Sequence, residues 1–316
     1  MSLFGKSKKY SGWMVISFHV DGVTVAYIKR PAAGKPIVEI FSFFPANGNA
    51  QSAALEKLTK ALHTDRYQCA HLLSSGEYQL LSIDAITVQA DELKQAVRWR
   101  LKTMLDYHID DATIDVLAVP TNKSGPLQSN TLFAVAAHNT LIQQRQELFE
   151  AAKIGLNVID IPEMAQRNIS ALLEPEDRAV AMLSFDNEGG LITFTFGGEL
   201  YLSRRIEMTA NELRKANKAD IVLLHQRITL ELQRSLDHFD RQYHAMPLSK
   251  LVLAPLGPEG IALQAYLAEN LYIPVDILTL KTILDLSKVP QLDKPEIQQR
   301  HFMTLGAALR LDEKTF

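Results

Sequence analysis

Two stretches of the sequence, about 165 residues apart, show the same pattern of three consecutive strands. The first combines VISFHVDGVTVAYIKR (15–30), with a turn at Asp21-Gly22, and PIVEIFSFFP (36–45). The second is RAVAMLSFDNEGGLITFTFGGELYLSRRIEM (178–208), where glycine-containing turns again separate β-branched and aromatic runs. In each half, helices and single strands follow. This pattern indicates a duplicated chain and predicts an α/β protein with two similar lobes.

A third unit lies inside the first half. DELKQAVRWRLKTML (91–105) has apolar residues at helical spacing, and TIDVLAVPT (113–121) and TLFAVAAH (131–138) are strand candidates on either side of the loop NKSGPLQSN. We therefore predict a small α+β subdomain inserted into the first lobe. The predicted boundaries are a flexible terminus at 1–12, the first lobe at 13–82 and 158–178, the inserted subdomain at 83–157, and the second lobe at 179–316.

Composition narrows the function classes. The 316 residues carry a net charge of −3, so no basic field exists to attract nucleic acid. Cys69 is the single cysteine, which rules out an intramolecular disulfide and indicates a reducing compartment such as the cytoplasm. The longest apolar runs are far shorter than the roughly 20 residues that span a bilayer. Leu3 and Phe4 stand beside lysines, but a disordered terminus explains this stretch better than a membrane contact.

Several short stretches, taken in their order along the chain, resemble the PilM family, whose members are actin-like proteins of type IV pilus assembly. They are the FGK start, the helix introduced by DEL, AVAAH, VIDIPEMA, ELYLSRRIE, ELQRSLDHF and the closing LGAALR. Within the family, the chain is most similar in style to MshI-type proteins of the mannose-sensitive haemagglutinin (MSHA) pilus.

The resemblance implies an actin-like, ribonuclease H-like fold of two lobes, with an FtsA-like subdomain inserted in the first. It also implies a cytoplasmic location at the inner face of the inner membrane. The implied partner is a PilN-like inner-membrane protein, bound through its short cytoplasmic tail by the first lobe, so that membrane association is peripheral. Self-association is left open.

Actin-like ATPases place an acidic residue and glycines in the first hairpin, where the carboxylate organises Mg²⁺ and small residues let backbone N–H groups reach phosphate. Here the matching stretch is SFHVDGVTVA, with His19 at the acidic position and Asp21 at a glycine position. In the second hairpin, LSFDNEGG, Ser184 takes the acidic position and Asp186 comes two residues late. Pro255 and Leu256 replace the glycine pair on the adenosine side.

These departures predict a pseudo-ATPase that is not an enzyme and needs no cofactor. The alternative is an ATP-binding or ATP-hydrolysing protein whose drifted motifs still hold Mg-ATP. In that case the binding residues are Asp21, Gly22, Thr24, Ser184, Asp186 and Gly257. A sugar-kinase-like enzyme of the same fold needs a catalytic aspartate near the phosphates, and the sequence does not identify one.

Two acidic and histidine-containing stretches, DYHIDD (106–111) and RSLDHFDRQYH (234–244), are better explained as solvated charged segments than as metal sites. We predict no metal. The aromatic stretch FSFFP (41–45) is consistent with core packing, but a strand near a sheet edge also accepts extended peptides. Phe41, Phe43 and Phe44 are therefore the candidate residues for partner binding.

Overall fold

The computed structural model describes residues 9–47, 50–89, 91–119 and 131–311. Its strands are β1 (Trp13–His19), β2 (Gly22–Lys29), β3 (Ile37–Pro45), β4 (Gln68–Leu72), β5 (Gln79–Asp84), β6 (Ala112–Ala118), β7 (Thr131–His138), β8 (Leu156–Asp160), β9 (Ala179–Phe185), β10 (Gly190–Phe196), β11 (Glu199–Ile206), β12 (Leu248–Leu253) and β13 (Val275–Ile277). Its helices are α1 (Gln51–Leu62), α2 (Leu93–Leu101), α3 (Asn139–Ala151), α4 (Pro162–Ser170), α5 (Ala210–Lys215), α6 (Lys218–Gln242), α7 (Pro258–Asn270) and α8 (Pro295–Ala308).

Two five-stranded sheets share one topology. The first has the order β3-β2-β1-β4-β8, and the second has the order β11-β10-β9-β12-β13. In each sheet the opening strand pairs antiparallel with the next strand and parallel with the fourth. The strands correspond one to one in chain order, so the predicted duplicated, two-lobed α/β fold is confirmed.

Alternate residues of β1 enter two different cores. Trp13 and Val15 pack with Phe302 and Leu305 of α8 on one face. Met14 and Ile16 pack on the other face, where α1 and α3 cover the sheet. Because both faces are covered, β1 opens with four consecutive apolar residues, Trp13–Ile16, rather than alternating between apolar and polar residues.

The helices α4 and α8 are exchanged between the lobes. α4 follows the strands of the first sheet but packs on β9, β10 and β11, whereas α8 follows the second sheet and packs on β1 and β2. The predicted division at residue 178/179 therefore has to be corrected for these two helices. Eight of the nine residues of α4 are buried, and a helix that is buried all round carries no pattern that identifies the sheet it covers.

The inserted sheet has the order β5-β7-β6. α2 covers one face through Val97 and Leu101, and Phe133 on the other face packs into the core of the second lobe. β5 begins at Gln79, before the predicted boundary at 83. α3, predicted to belong to the insertion, buries Phe149 in the core of the first lobe. α3 also packs against β6 and β7, so it contacts both the insertion and the first lobe. Apolar spacing identifies a helix or strand but not its packing partner.

Two predicted features lie outside the described residues. They are the loop NKSGPLQSN and the terminal segment that contains Leu3 and Phe4. Within the part of the chain that the structure describes, no helix is both long enough and apolar enough to span a bilayer.

Candidate functional site

The turn between β1 and β2 places Asp21 against a cation from α8. The Asp21 carboxylate accepts a hydrogen bond from Arg300, whose guanidinium also lies 4.7 Å from the ring centroid of Phe43. Burial alone would raise the pKa of Asp21, but the hydrogen bond and charge of Arg300 outweigh it and lower that pKa. The carboxylate available for a metal in the first hairpin is thus already neutralised by the chain itself.

His19 stands where the resemblance implies an acidic residue. Its ring lies edge-on to that of His301, with centroids 5.3 Å apart. Its Nε2 is buried without a hydrogen-bond partner among the described residues. Burial, reinforced by the charge of Arg300, lowers the pKa of His19 to about 4. At neutral pH this position therefore holds an uncharged imidazole and supplies no negative charge.

The hydroxyl groups of the first hairpin face α8. Thr24 Oγ1 and His301 Nδ1 are 3.0 Å apart, and Ser17 Oγ and Thr304 Oγ1 are 2.6 Å apart, both in buried positions. Burial is the main cause that lowers the pKa of His301 to about 3. The imidazole is therefore neutral, and the Thr24 hydroxyl is engaged in packing between a helix and the sheet.

Gly22 has no room for a side chain. A Cβ atom at this position would lie 2.4 Å from the carbonyl oxygen of Phe44 and 2.6 Å from the ring of Phe43. The glycine thus permits close approach of β3, a structural role that does not require a nearby phosphate.

In the second hairpin, a hydroxyl group contacts α4, as the hydroxyl groups of the first hairpin contact α8. Ser184 Oγ donates to Gln166 Oε1 at 2.5 Å. Gln166 Nε2 in turn donates to the carbonyl oxygen of Met182 at 3.0 Å and to Thr193 Oγ1 at 2.9 Å. Gln166 is fully buried, so these hydrogen bonds replace the water that the amide would otherwise bind.

Asp186 closes its own turn. Its Oδ1 accepts from the backbone N–H groups of Glu188 at 2.7 Å and Gly189 at 2.9 Å. This is the local turn geometry that aspartate favours. The side chain therefore points back into the hairpin.

The turn after β12 carries the third stretch that was compared with a nucleotide motif. Leu256 is buried in the core of the second lobe. Gly257 precedes α7 with φ of 73°, a conformation that glycine adopts without strain. A Cβ atom there would lie 3.2 Å from Glu259 Oε2. Both positions are thus explained by backbone geometry and packing.

The helices that contribute these contacts open with the same motif, which the sequence analysis missed. α4 begins PEMAQR (162–167) and α8 begins PEIQQR (295–300). Arg167 lies 3.4 Å from Glu199, the first residue of β11, and Arg300 pairs with Asp21 in the turn between β1 and β2. Searching for a repeated Pro-Glu-x-x-Gln-Arg hexapeptide would have found both helices.

The residues present do not fit Mg-ATP in the arrangement that the resemblance implies. Asp21 is bound by Arg300, Asp186 caps its own turn, and Ser184 and Thr24 are bound by the exchanged helices. Across residues 9–47, 50–89, 91–119 and 131–311, no three His, Cys, Asp or Glu side chains come together as a metal-ligand set.

The two charged stretches noted in the sequence form ordinary surface contacts. In the first, Asp110 pairs with Arg98 at 2.7 Å. In the second, Asp240 accepts a hydrogen bond from Tyr272 at 2.6 Å.

The three candidate phenylalanines do not form one surface. Phe41 is buried against His301, with ring centroids 5.0 Å apart, and Phe43 lies beneath Arg300. Phe44 packs with the core on the opposite face of the sheet. The reason is the two-residue period of a strand, which sends residues 41 and 43 to one face and residue 44 to the other.

β3 is an edge strand, and part of its free edge is already covered. The backbone N–H of Val38 donates to the carbonyl oxygen of Asp285 at 3.0 Å, and Gln291 Nε2 donates to that of Phe41 at 3.1 Å. From Ser42 to Pro45, no such covering contact exists among the described residues. This short section is the part of the edge that a peptide strand could reach.

Comparison with known proteins identifies the fold. A chain of a PilM–PilN type IV pilus biogenesis complex is 16% identical, with 96% of this chain and 98% of that chain covered and a TM-score of 0.70. A Bacteroides thetaiotaomicron protein described as having an actin-like ATPase fold and unknown function is 11% identical, with 93% and 99% covered and a TM-score of 0.52. No family model and no curated protein matches the sequence. The chain thus has an actin-like ATPase fold of the PilM-like kind, as predicted.

Proposed function

We propose that this chain is a non-catalytic adaptor of type IV pilus assembly that binds the cytoplasmic tail of a PilN-like inner-membrane protein. The observation that carries the proposal is structural similarity to a chain of a PilM–PilN complex along 96% of this chain and 98% of that one. Similarity over nearly the whole of both chains favours a related role in assembly over a shared single module.

The contacts of the three stretches compared with nucleotide motifs support a pseudo-ATPase. Asp21 and Asp186 are held by partners within the chain, and Leu256 fills the core where the resemblance implies a glycine. Without a free carboxylate in either hairpin or a glycine pair after β12, these described stretches lack the groups that organise Mg²⁺ and phosphate in the implied arrangement. Binding to another protein is then the remaining source of function.

Membrane association, in this proposal, comes from the partner, and the chain acts at the inner face of the inner membrane. We assign it to MSHA-type pilus systems on the resemblance to MshI-type proteins. The tail is placed along the uncovered section of β3 near Phe43, where an extended peptide gains main-chain hydrogen bonds.

The test is a binding titration between the purified chain and a fluorescent peptide with the sequence of the partner's cytoplasmic N-terminus. A micromolar Kd is expected, because the peptide must be ordered on binding. A scrambled peptide is the control. The titration is repeated with about 1 mM Mg-ATP, which should leave the Kd unchanged. No saturable binding below millimolar peptide would reject the adaptor proposal, and a Kd that changes with Mg-ATP would reject the pseudo-ATPase part.

A further inference from the structure

One arginine of the second sheet contacts three residues that precede that sheet in the chain. Arg205 in β11 donates through Nη1 to Ser75 Oγ at 2.5 Å. Its Nη2 donates to Tyr78 Oη at 2.6 Å and to Glu163 Oε1 at 2.8 Å. The planar guanidinium spreads its donors over two nitrogen atoms and so reaches oxygen atoms from two separate segments.

The acidic partner in this group is deeply buried. The Glu163 side chain is 1% exposed, and its second oxygen accepts a hydrogen bond from the hydroxyl of Tyr78. Burial, followed by the Glu163 charge, raises the pKa of Tyr78, so the hydroxyl keeps its proton and donates it. Both carboxylate oxygens therefore depend on partners from other elements.

These contacts join three parts of the fold. Ser75 and Tyr78 lie in the segment that leads from β4 of the first lobe to β5 of the inserted sheet. Glu163 lies in the first turn of α4, the helix that crosses to the second sheet. Arg205 belongs to the edge strand of that second sheet.

The segment between β4 and β5, residues 73–78, is the entry segment of the inserted subdomain. A second arginine contacts it from the first lobe. Arg145 of α3 pairs with Glu77, and neither side chain is more than 21% exposed. Glu77 also accepts from the backbone N–H of Ser74 at 2.8 Å. The entry segment is thus fixed on one side to its own lobe by Arg145 and on the other side to the opposite lobe by Arg205.

We propose that Arg205 is a coupling residue that makes the inserted subdomain and the second lobe move as one unit. Removing its guanidinium would leave Glu163 buried without a cation, a state that is strongly disfavoured. The entry segment then separates from the second lobe so that water can reach the carboxylate. Phe133 already packs the inserted sheet against the apolar core of the second lobe, and the Arg205 contacts add the polar link that passes a displacement of the entry segment to β11. The inference goes beyond the adaptor function and needs no partner.

Amide hydrogen exchange of the full chain tests the contact. In Arg205→Gln, exchange in residues 74–84 should be at least tenfold faster than in the wild type, with residues 179–196 unchanged. Arg204→Gln is the matched control, since the neighbouring Arg204 is also exposed and donates a hydrogen bond to Ser235 Oγ at 3.4 Å, within the second lobe. Equal exchange in 74–84 for wild type and a folded Arg205→Gln would overturn the inference.

The coupling between the subdomain and the second lobe is measured as the distribution of distances between two spin labels. The labels are attached at Asp111→Cys in the subdomain and Asp237→Cys in the second lobe, both exposed positions. Native Cys69 is buried, and burial raises its pKa to about 12, so it should resist labelling. The distance distribution should broaden with Arg205→Gln and stay narrow with Arg204→Gln. The pair Arg205→Gln and Glu163→Gln, which leaves no buried charge, should restore most of the exchange protection. An unchanged distribution in Arg205→Gln, or no recovery in the pair, would show that Arg205 only supports local structure.

If Arg205→Gln does not fold, Arg205→Lys serves instead. It keeps a charge near Glu163 but cannot reach all three oxygens, so exchange in 74–84 should rise severalfold with the fold preserved. Wild-type exchange in a folded Arg205→Lys would also count against the inference.

Discussion

Gly306 of α8 lies directly against the backbone of Ala165 in α4, so closely that a Cβ atom on Gly306 would be 2.3 Å from the Ala165 carbonyl oxygen. Asn168 Nδ2 adds a hydrogen bond to the Gly306 carbonyl oxygen at 3.0 Å. Because α8 covers the first sheet and α4 covers the second, this crossing is where the two lobes are joined. Its closeness depends on the absence of a side chain.

Gly306→Ala should therefore destabilise the protein by about 1–3 kcal/mol, because the added methyl group meets backbone that cannot rotate away. Urea unfolding followed by circular dichroism measures the change. Gly155→Ala is the control, since a Cβ there meets no heavy atom within 4 Å, and it should stay within about 0.5 kcal/mol of wild type. Equal stability of Gly306→Ala and Gly155→Ala would mean that α4 and α8 can separate freely.

Mg-ATP should not stabilise the chain measurably against heat. For a Kd of 1 mM or weaker, about 1 mM ligand contributes at most about 0.4 kcal/mol, a shift of roughly a degree or less in Tm. A thermal melt with and without Mg-ATP is the measurement, and ATP with EDTA is its control. A rise of several degrees that Asp21→Ala or Asp186→Ala abolishes would show that the displaced acids still hold the metal.

Stability should fall on acidification below about pH 6.5. Burial lowers the pKa of His301 to about 3 and that of His19 to about 4, from an ordinary 6.5. Below pH 6.5 the unfolded chain takes up protons that the folded chain refuses, so stability is lost as pH falls towards these values and is unaffected above 6.5. The groups facing His301 are His19, Arg300 and Asp21, and only the Asp21 charge favours its protonation.

Comparing urea unfolding at pH 7 and pH 5 in wild type and His301→Gln tests this relationship. The variant should lose less stability between the two pH values, by up to about 2 kcal/mol for one histidine. His238→Gln, at an exposed helix position, should behave as wild type. An identical pH dependence in His301→Gln would mean that His301 is protonated in the folded chain.

Tail binding should depend on Phe43 and not on the terminal segment. Phe43→Asp places a charge beside the uncovered section of β3 and should raise the Kd for the tail peptide at least tenfold, because an apolar contact is lost. Phe44→Asp is the comparison on the opposite face, and circular dichroism shows whether each variant folds. Deletion of the first ten residues should leave the Kd unchanged. If neither substitution alters the Kd in a folded protein, the tail does not bind at this edge.

Much of the architecture could be predicted from local patterns. The turn at Asp21-Gly22, the alternation around it and the second set of strands from Arg178 all predict strands that the structure contains. These features can be predicted from the sequence because a turn and the alternation of side chains along a strand each depend on only a few neighbouring residues. The duplication follows from the same local signals occurring twice.

Less of the candidate site could be predicted from the sequence. The sequence identifies His19, Ser184 and Leu256 as departures from a nucleotide motif, but it does not indicate what replaces the ligand. The replacement is Arg300, which lies 279 residues from Asp21 along the chain. Gln166 and His301 act in the same way on buried hydroxyl groups. Nothing in the spacing of such distant residues predicts that they meet.

The sequence by itself determined which segments are strands and helices, that the strand pattern occurs twice, and that His19, Ser184 and Leu256 stand in the stretches compared with nucleotide motifs. Only the tertiary structure decided that α4 and α8 exchange sheets, that the faces of β3 separate Phe41 and Phe43 from Phe44, and that Arg205 joins the entry segment of the subdomain to the second lobe. The physical reason is the distance along the chain over which each property is determined. Backbone conformation and side-chain period are set by neighbours in the chain, whereas the partner of a buried helix or a guanidinium is set by whichever surface excludes water and satisfies its charge.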